Sequence, residues 1–124
     1  MKVYTTDAIR NVALVGHGDV GKTSLASCLL FDTGEVPRLG RVDQGNTVTD
    51  FDEDEIERKV TISSSPCYVE WNKVKINILD TPGYGNFVAD ARAALRAVDS
   101  AAVTLSSSED TDSFLCVRVV AVCL

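Results

Sequence analysis

The 124-residue sequence is short of the residues that usually announce a metal site, a disulfide framework or a membrane span. It has one histidine, one tryptophan, one methionine and three prolines. Its four cysteines, at 28, 67, 116 and 123, form no C-x-x-C pair and no metal-ligand spacing. Cys28 and Cys67 fall in segments expected to be helix and strand, so both are read as buried, reduced thiols, the state expected in the cytoplasm. No long apolar run precedes Gly16. The opening "MKVYTTDAIRNVALVG" is broken by Asp7, Arg10 and Asn11, which speaks against a signal peptide and against membrane contact. Positive charge is also scarce: 12 Lys and Arg against 18 Asp and Glu give a net charge of −6. Direct binding of DNA by electrostatics is therefore not expected. What remains, 45% hydrophobic and 24% charged, is an ordinary composition for one small globular unit.

Along the chain, "IRNVALV" (9–15) reads as a short buried strand running into "GHGDVGKTS". "LASCLLF" follows, with Leu25, Cys28 and Leu29 at helical spacing. Residues 33–58 form a long polar stretch that contains "DFDEDEIE" (50–57), six acids in eight positions, readable as a solvated acidic loop or a short helix. A connection that long in a compact unit is usually functional. "SSPCYVEW" (64–71) and "VKINIL" (74–79), joined by Asn72 and Lys73, predict an antiparallel hairpin. Segment 87–98 sets Phe87, Ala91, Leu95 and Val98 on one helical face, and "SAAVTL" (100–105) predicts another central strand. The order strand, helix, hairpin, helix, strand predicts an α/β fold with a mostly parallel sheet flanked by helices.

Two turns carry the chemistry. Gly16, Gly21, Lys22 and Thr23 satisfy G-x-x-x-x-G-K-[ST]. Glycines let the backbone curl so that successive N–H groups point inward around phosphate, and the following helix adds its positive end. Lys22 supplies a full charge, and the Thr23 hydroxyl is a hard oxygen suited to Mg²⁺. The second turn, "DTPGYGNF" (80–87), closes a predicted strand: Asp80 is placed to help hold the metal and the Gly83 amide to reach a γ-phosphate. Pro82 fixes its own φ and biases Thr81 toward an extended shape, which aims that amide. Thr61, at the end of the acidic stretch, is a third candidate, able to close over Mg²⁺ in a loop that orders with the γ-phosphate. On local sequence alone the reading of a threonine beginning a strand is favoured.

These motifs resemble those of translational GTPases, and among them elongation factor G and its paralogues. "GHGDVGKT" is similar to the family's [GA]-H-x-D-x-G-K-[ST], with His17 and Asp19 in place. "DEDEIERKVTI" is similar to an acidic run followed by R-G-[IV]-T-I, with Lys59 where glycine is usual. "DTPGYGNF" is similar to D-T-P-G-H-x-D-F. The resemblance covers about residues 8–103. It implies a P-loop GTPase domain, incomplete at the C-terminal end, that binds GTP, GDP and Mg²⁺ and acts on the ribosome through a longer factor. It implies a phosphate loop at 16–24, a first switch at about 33–62 and a second at about 80–98. Gly16, His17, Gly18, Asp19, Val20, Gly21, Lys22, Thr23 and Ser24 would surround the phosphates, with Asp80, Thr81, Pro82, Gly83 and Tyr84 opposite. Thr23 and Thr61 would hold the metal, with Asp80 in its outer shell; Tyr84, Thr61 and Lys22 are the catalytic candidates.

Two departures stand out. Tyr84 occupies the position where the family usually has the histidine that places the attacking water. A tyrosine, with a pKa near 10, is no general base at neutral pH, though its hydroxyl can hold a water. Slow hydrolysis, or a mainly conformational use of GTP, is the expectation. The guanine-reading N-K-x-D motif is also missing after Gly83; "NKVK" at 72–75 has Lys where Asp is needed. After Val103 the family pattern gives way to an acid/Ser stretch and an apolar run, read as a truncation or frameshift of a several-fold longer factor. That apolar run is readable either as a replacement strand or as an exposed liability. A non-catalytic nucleotide-dependent binding module, a P-loop ATPase or kinase, and an inactive fragment are the rival readings.

Overall fold

The computed structural model describes residues 2–105 and the strand 118–123. The acid/Ser stretch from 106 to 117, with Cys116, and the terminal Leu124 lie outside the described residues. The elements in chain order are β1 (Ile9–Val15), α1 (Lys22–Asp32), α2 (Glu53–Arg58), β2 (Ser65–Trp71), β3 (Val74–Asp80), α3 (Val88–Leu95), β4 (Ser100–Leu105) and β5 (Arg118–Cys123), besides short 3₁₀ turns. The sheet order is β2-β3-β1-β4-β5. Its centre is parallel: β1 runs alongside β3 and β4 in the same direction. Both edges are antiparallel, β2 against β3 and β5 against β4. The expected α/β sheet is present, and the apolar run near the C-terminus pairs as a strand from Leu105↔Arg118 to Ser100↔Cys123. Its β-branched sequence "RVVAV" suits that place, and it covers an edge of β4 that would otherwise offer unpaired N–H and C=O groups.

Register decides where the functional loops meet. Val12 lies opposite both Ile78 and Ser100, and Leu14 opposite Asp80. The parallel strands β1 and β3 therefore end side by side, and residues 16–21 and 81–84 leave the same edge of the sheet. An open α/β sheet binds ligands outside that carboxyl edge.

Leu14, Ala26, Leu30, Val69, Ile78 and Ala102 form the core between the sheet and α1, with Leu25, Leu29 and Cys67 packed half-buried against it. Here the helical phase differs from the expectation. The buried face of α1 runs through Lys22, Thr23, Ala26, Ser27 and Leu30, and Cys28 is exposed. Small Ala26 and Ser27 let the helix approach the strands, while Lys22 and Thr23 must face the phosphate loop. Those two demands together turn Cys28 outward. Cys67 is half-buried, and burial pushes its thiol up to about 11, so it is inert at neutral pH. On α3 the expected face holds: Phe87, Ala91, Leu95 and Val98 are half-buried and Ala94 is buried, while Arg92 and Arg96 are exposed.

The β2–β3 hairpin turns through Asn72 and Lys73 with φ of 48° and 65°. Two consecutive left-handed residues make the mirror-image turn whose twist suits a two-residue hairpin. Asn adopts that conformation readily, but Lys pays the steric cost of a Cβ against the carbonyl. Lys73→Gly is expected to raise the unfolding free energy by roughly 0.5–1 kcal/mol, the left-handed penalty less the glycine entropy cost. A higher urea midpoint with unchanged slope is the expected result; a lower midpoint would show that the turn carries no such strain.

Candidate functional site

The phosphate loop begins at the end of β1 and ends at Gly21, the N-cap of α1, in the left-handed conformation at φ 87°. The Leu25 N–H donates to the Gly21 carbonyl at 2.8 Å, closing the first turn of the helix. Lys22 folds back over the loop and donates to the carbonyls of Gly16 at 3.0 Å and His17 at 2.7 Å. It is 5% exposed, and burial draws its ammonium below the usual lysine range against the pull of Asp80, Asp19 and Asp50. The second turn sits directly on this loop. A Cβ on Gly83 would collide with the Lys22 ammonium and the backbone of His17 and Gly18, so only glycine permits the approach.

Behind these turns lies a buried chain of hydroxyls and carboxylates. Thr23 Oγ1 donates to Asp80 Oδ2 at 2.7 Å and lies 3.0 Å from Thr61 Oγ1. Thr61 Oγ1 donates to Asp50 Oδ1 at 2.9 Å, and Thr49 Oγ1 donates to Asp80 Oδ2 at 3.0 Å. All five side chains are buried. Asp80 Oδ1 is buried and has no hydrogen-bond partner among the described residues. Burial pushes the Asp80 carboxyl up to about 6, the opposing bonds from Thr23 and Thr49 being the smaller effect. Burial likewise raises Asp50, although the Thr61 hydroxyl counters it.

The residues fit a hard divalent cation. The donors converging here are all oxygens, Thr23 and Thr61 lie within one hydrogen bond of each other, and an unsatisfied carboxylate oxygen stands behind them. Among the described residues no group of three His, Cys, Asp or Glu could hold a metal ion. A cation at this place would therefore rely on hydroxyls and on oxygens of a bound phosphate.

Together the turns wall a cavity of about 480 Å³, a size suited to a small-molecule ligand. Gly18, Asp19, Gly21, Lys22, Thr23, Ser24, Thr61, Gly83 and Tyr84 line it. Gly16, His17, Val20, Asp80, Thr81 and Pro82 are not among the residues that line it. Thr81 is fully buried and donates to the Leu14 carbonyl at 2.6 Å, tying the turn to β1. His17 is exposed, with Nδ1 3.0 Å from the Gly18 carbonyl and its ring 5.9 Å from that of Tyr84. The Tyr84 hydroxyl donates to Asp19 Oδ2 at 2.6 Å.

Sequence reasoning missed Asp50 and Glu55. Four of the six acids in 50–57 are solvated, as expected, but these two are buried. Glu55 accepts from the N–H groups of Ile62 at 2.9 Å and Ser63 at 3.1 Å, and so anchors the segment that carries Thr61. Asp52 caps α2 in a capping box with Glu55. The D-x-x-E spacing of that box is the local signal for Glu55; Asp50 had none, for it is buried beside a Phe51 that is 73% exposed, the reverse of their hydropathies. Lys59 follows α2 at φ 56°, the left-handed C-cap position that favours glycine, which gives the physical sense of the glycine usual there.

The Asp80 shift sets a pH dependence. Its folded value, about 6, lies above the ordinary carboxylate value near 4, so between these the folded chain holds the extra proton. Stability in the absence of nucleotide and divalent cation is then expected to fall as pH rises from about 4 to about 6 and to level above that, by at most about 3 kcal/mol. Asp50 acts in the same direction. Urea unfolding at pH 5 and pH 7 checks this: Asp80→Asn should flatten the difference, and an unchanged difference would place its origin elsewhere.

A family model described as the elongation factor Tu GTP binding domain matches residues 7–118. Mitochondrial ribosome-releasing factor 2 of Debaryomyces hansenii is 43% identical over 101 residues, 82% of this chain and 12% of that protein. Tetracycline resistance protein TetP of Clostridium perfringens is 42% identical over 105 residues, 85% of this chain and 16% of its own. Elongation factor G of Petrotoga mobilis is 42% identical over 100 residues, 81% and 14% respectively. A crystal structure of a Thermus thermophilus protein superposes with a TM-score of 0.78 at 41% identity, over 81% of this chain and 15% of the other. The chain thus spans about an eighth to a sixth of the length of these relatives. By its phosphate loop, its second turn and these matches, the chain belongs to the translational GTPases of the elongation factor Tu GTP-binding-domain family.

Proposed function

We propose that residues 1–105 are the front portion of the GTPase domain of an elongation-factor-G-like factor that binds GTP and GDP with Mg²⁺, hydrolyses GTP and acts on the ribosome. The observation that carries this reading is the convergence of Lys22, Thr23, Thr61, Asp80 and Gly83 at the carboxyl edge of β1 and β3. Lys22 would meet the β- and γ-phosphates and the Gly83 amide the γ-phosphate. Thr23 and Thr61 would hold Mg²⁺, with Asp80 in its outer shell and Asp50 behind Thr61. The metal would neutralise charge on the phosphates. Thr61 donates to Asp50 here and lies 3.0 Å from the Thr23 hydroxyl, so a change of partner at this one hydroxyl would couple the 33–62 segment to the state of the nucleotide.

The engagement of the Tyr84 hydroxyl with Asp19 favours a second reading, a nucleotide-dependent binding module with little turnover. The bond to Asp19 and partial burial raise the Tyr84 pKa further, so the side chain stays protonated and cannot act as a base at neutral pH. Phosphoryl transfer needs placement and charge neutralisation more than proton removal, and on that ground slow hydrolysis is the preferred reading. Tyr84→His is expected to hydrolyse GTP faster, with or without ribosomes; equal rates would count against it. The proposal includes a cytoplasmic site of action. Fractionation that found the protein only in mitochondria would replace that part.

Calorimetry on the 124-residue chain tests the core of the proposal. Binding of GDP and GTP in the presence of Mg²⁺ is expected, and ADP measured beside them reports whether a chain without N-K-x-D reads the base at all. Lys22→Ala should weaken that binding at least about tenfold through loss of charge-assisted contacts. Equal, weak binding of ADP would mean a phosphate grip without a base reader, binding of GDP and GTP alone would mean that the C-terminal run completes a guanine site, and no binding of any nucleotide would refute nucleotide binding by this chain.

A further inference from the structure

The Tyr84 ring lies on the phosphate loop itself. A Cβ on Gly18 would collide with three atoms of that ring, so the absence of a side chain at 18 is what admits the tyrosine. The hydroxyl then reaches Asp19 Oδ2 at 2.6 Å, the ordinary length of a hydroxyl's bond to a carboxylate. Asp19 holds a left-handed backbone, φ 61°, a conformation that Asp and Asn tolerate best among residues with a side chain. Three features of two separate loops are therefore matched: no side chain at Gly18, a carboxylate turned toward the ring at Asp19, and a hydroxyl of the right reach at Tyr84. Asp19 and Tyr84 both line the cavity, and neither belongs to the hydroxyl–carboxylate chain around Thr23.

We propose that Asp19 is the positioning residue for Tyr84: by accepting the hydrogen bond from its hydroxyl it seats the ring over Gly18 and leaves the Oη lone pairs as an acceptor at the phosphate end of the cavity. A phenolic oxygen has one proton to give. With that proton directed to Asp19, a water beside Tyr84 must donate a hydrogen to Oη, which leaves the water's own lone pair free to face a phosphorus. Tyrosine could then orient a water without removing a proton from it. The carboxylate of Asp19 makes this a charge-assisted bond, which keeps the hydroxyl from rotating to donate elsewhere. The reactive part of this inference rests on the hydrolase reading above; the seating of the ring does not.

Tyrosine labelled with ¹³C at Cζ reports the hydroxyl's hydrogen bond by NMR in the full chain without nucleotide. The three tyrosines give three resonances, and Tyr84→Phe assigns the one that disappears. Asp19→Asn preserves tolerance of the left-handed backbone and removes the charge. It is expected to shift the Tyr84 resonance and leave those of Tyr4 and Tyr68 in place; a Tyr84 resonance that stays would overturn the proposal. Gly18→Ala should move the same resonance by displacing the ring, and an unmoved signal there would refute the seat.

GTP turnover with ribosomes supplies the second readout. Asp19→Asn and Tyr84→Phe should each lower kcat roughly three- to tenfold with KM unchanged, the modest size reflecting a partly solvated bond. The double variant should be no slower than the slower single one, since both remove the same bond. If Asp19→Asn slows the Tyr84→Phe chain as much as the wild type, Asp19 does not act through Tyr84. A wild-type chain with no turnover would refute the hydrolase reading alone, and the NMR shift would still decide the pairing.

Discussion

The hydrogen bond from Thr23 Oγ1 to Asp80 Oδ2, 2.7 Å long and buried, is the contact on which the rest of the site depends. It joins the first turn of α1 to the last residue of β3, so it can form only if β1 and β3 are parallel neighbours that end together. The register, Leu14 opposite Asp80, meets that condition. Thr81 adds a second tie between the same two strands through the Leu14 carbonyl. With those ends fixed, Gly83 has nowhere to go but onto the phosphate loop, and Tyr84 follows it over Gly18.

The electrostatics of the cluster run against its stability. Two buried carboxylates, Asp50 and Asp80, share a space with one buried ammonium, and one oxygen of Asp80 has no partner among the described residues. Two donated hydroxyls do not offset the loss of water around Asp80, which is why its proton affinity rises rather than falls. Such an arrangement is a poor way to hold a fold together and a good way to attract positive charge. Sites that bind ligands are where uncompensated buried charge is tolerated.

The long connection from Thr33 to Ser64 shows how an acidic segment can be both solvated and anchored. Asp52, Glu53, Asp54 and Glu57 face solvent, whereas Glu55 caps the return of the chain at Ile62 and Ser63. Glu55 thereby sets the height at which Thr61 enters the cluster. Composition could not separate the two buried acids from the four exposed ones, because burial here follows from which donors need an acceptor: the Ile62 and Ser63 N–H groups for Glu55 and the Thr61 hydroxyl for Asp50. That need is created by the fold.

Much of the architecture was legible in the residues. The strand 9–15, the hairpin through Asn72 and Lys73, the half-buried face of 87–98 and the strand 100–105 follow from local periodicity and turn chemistry, which act over a few residues. The phosphate loop and the second turn were legible as well, because glycines, a lysine and a hydroxyl at fixed spacing carry their chemistry in the backbone they permit. Other features were settled by contacts between residues far apart in the chain. The phase of α1, which leaves Cys28 exposed, came from the joint demands of the core and the phosphate loop. The burial of Asp50 came from Thr61, 11 residues away, and the pairing of Tyr84 with Asp19 spans 65 residues. Local sequence determined which glycines, hydroxyls and charged groups the two turns could present. Only the parallel register of β1 and β3 decided which of them met.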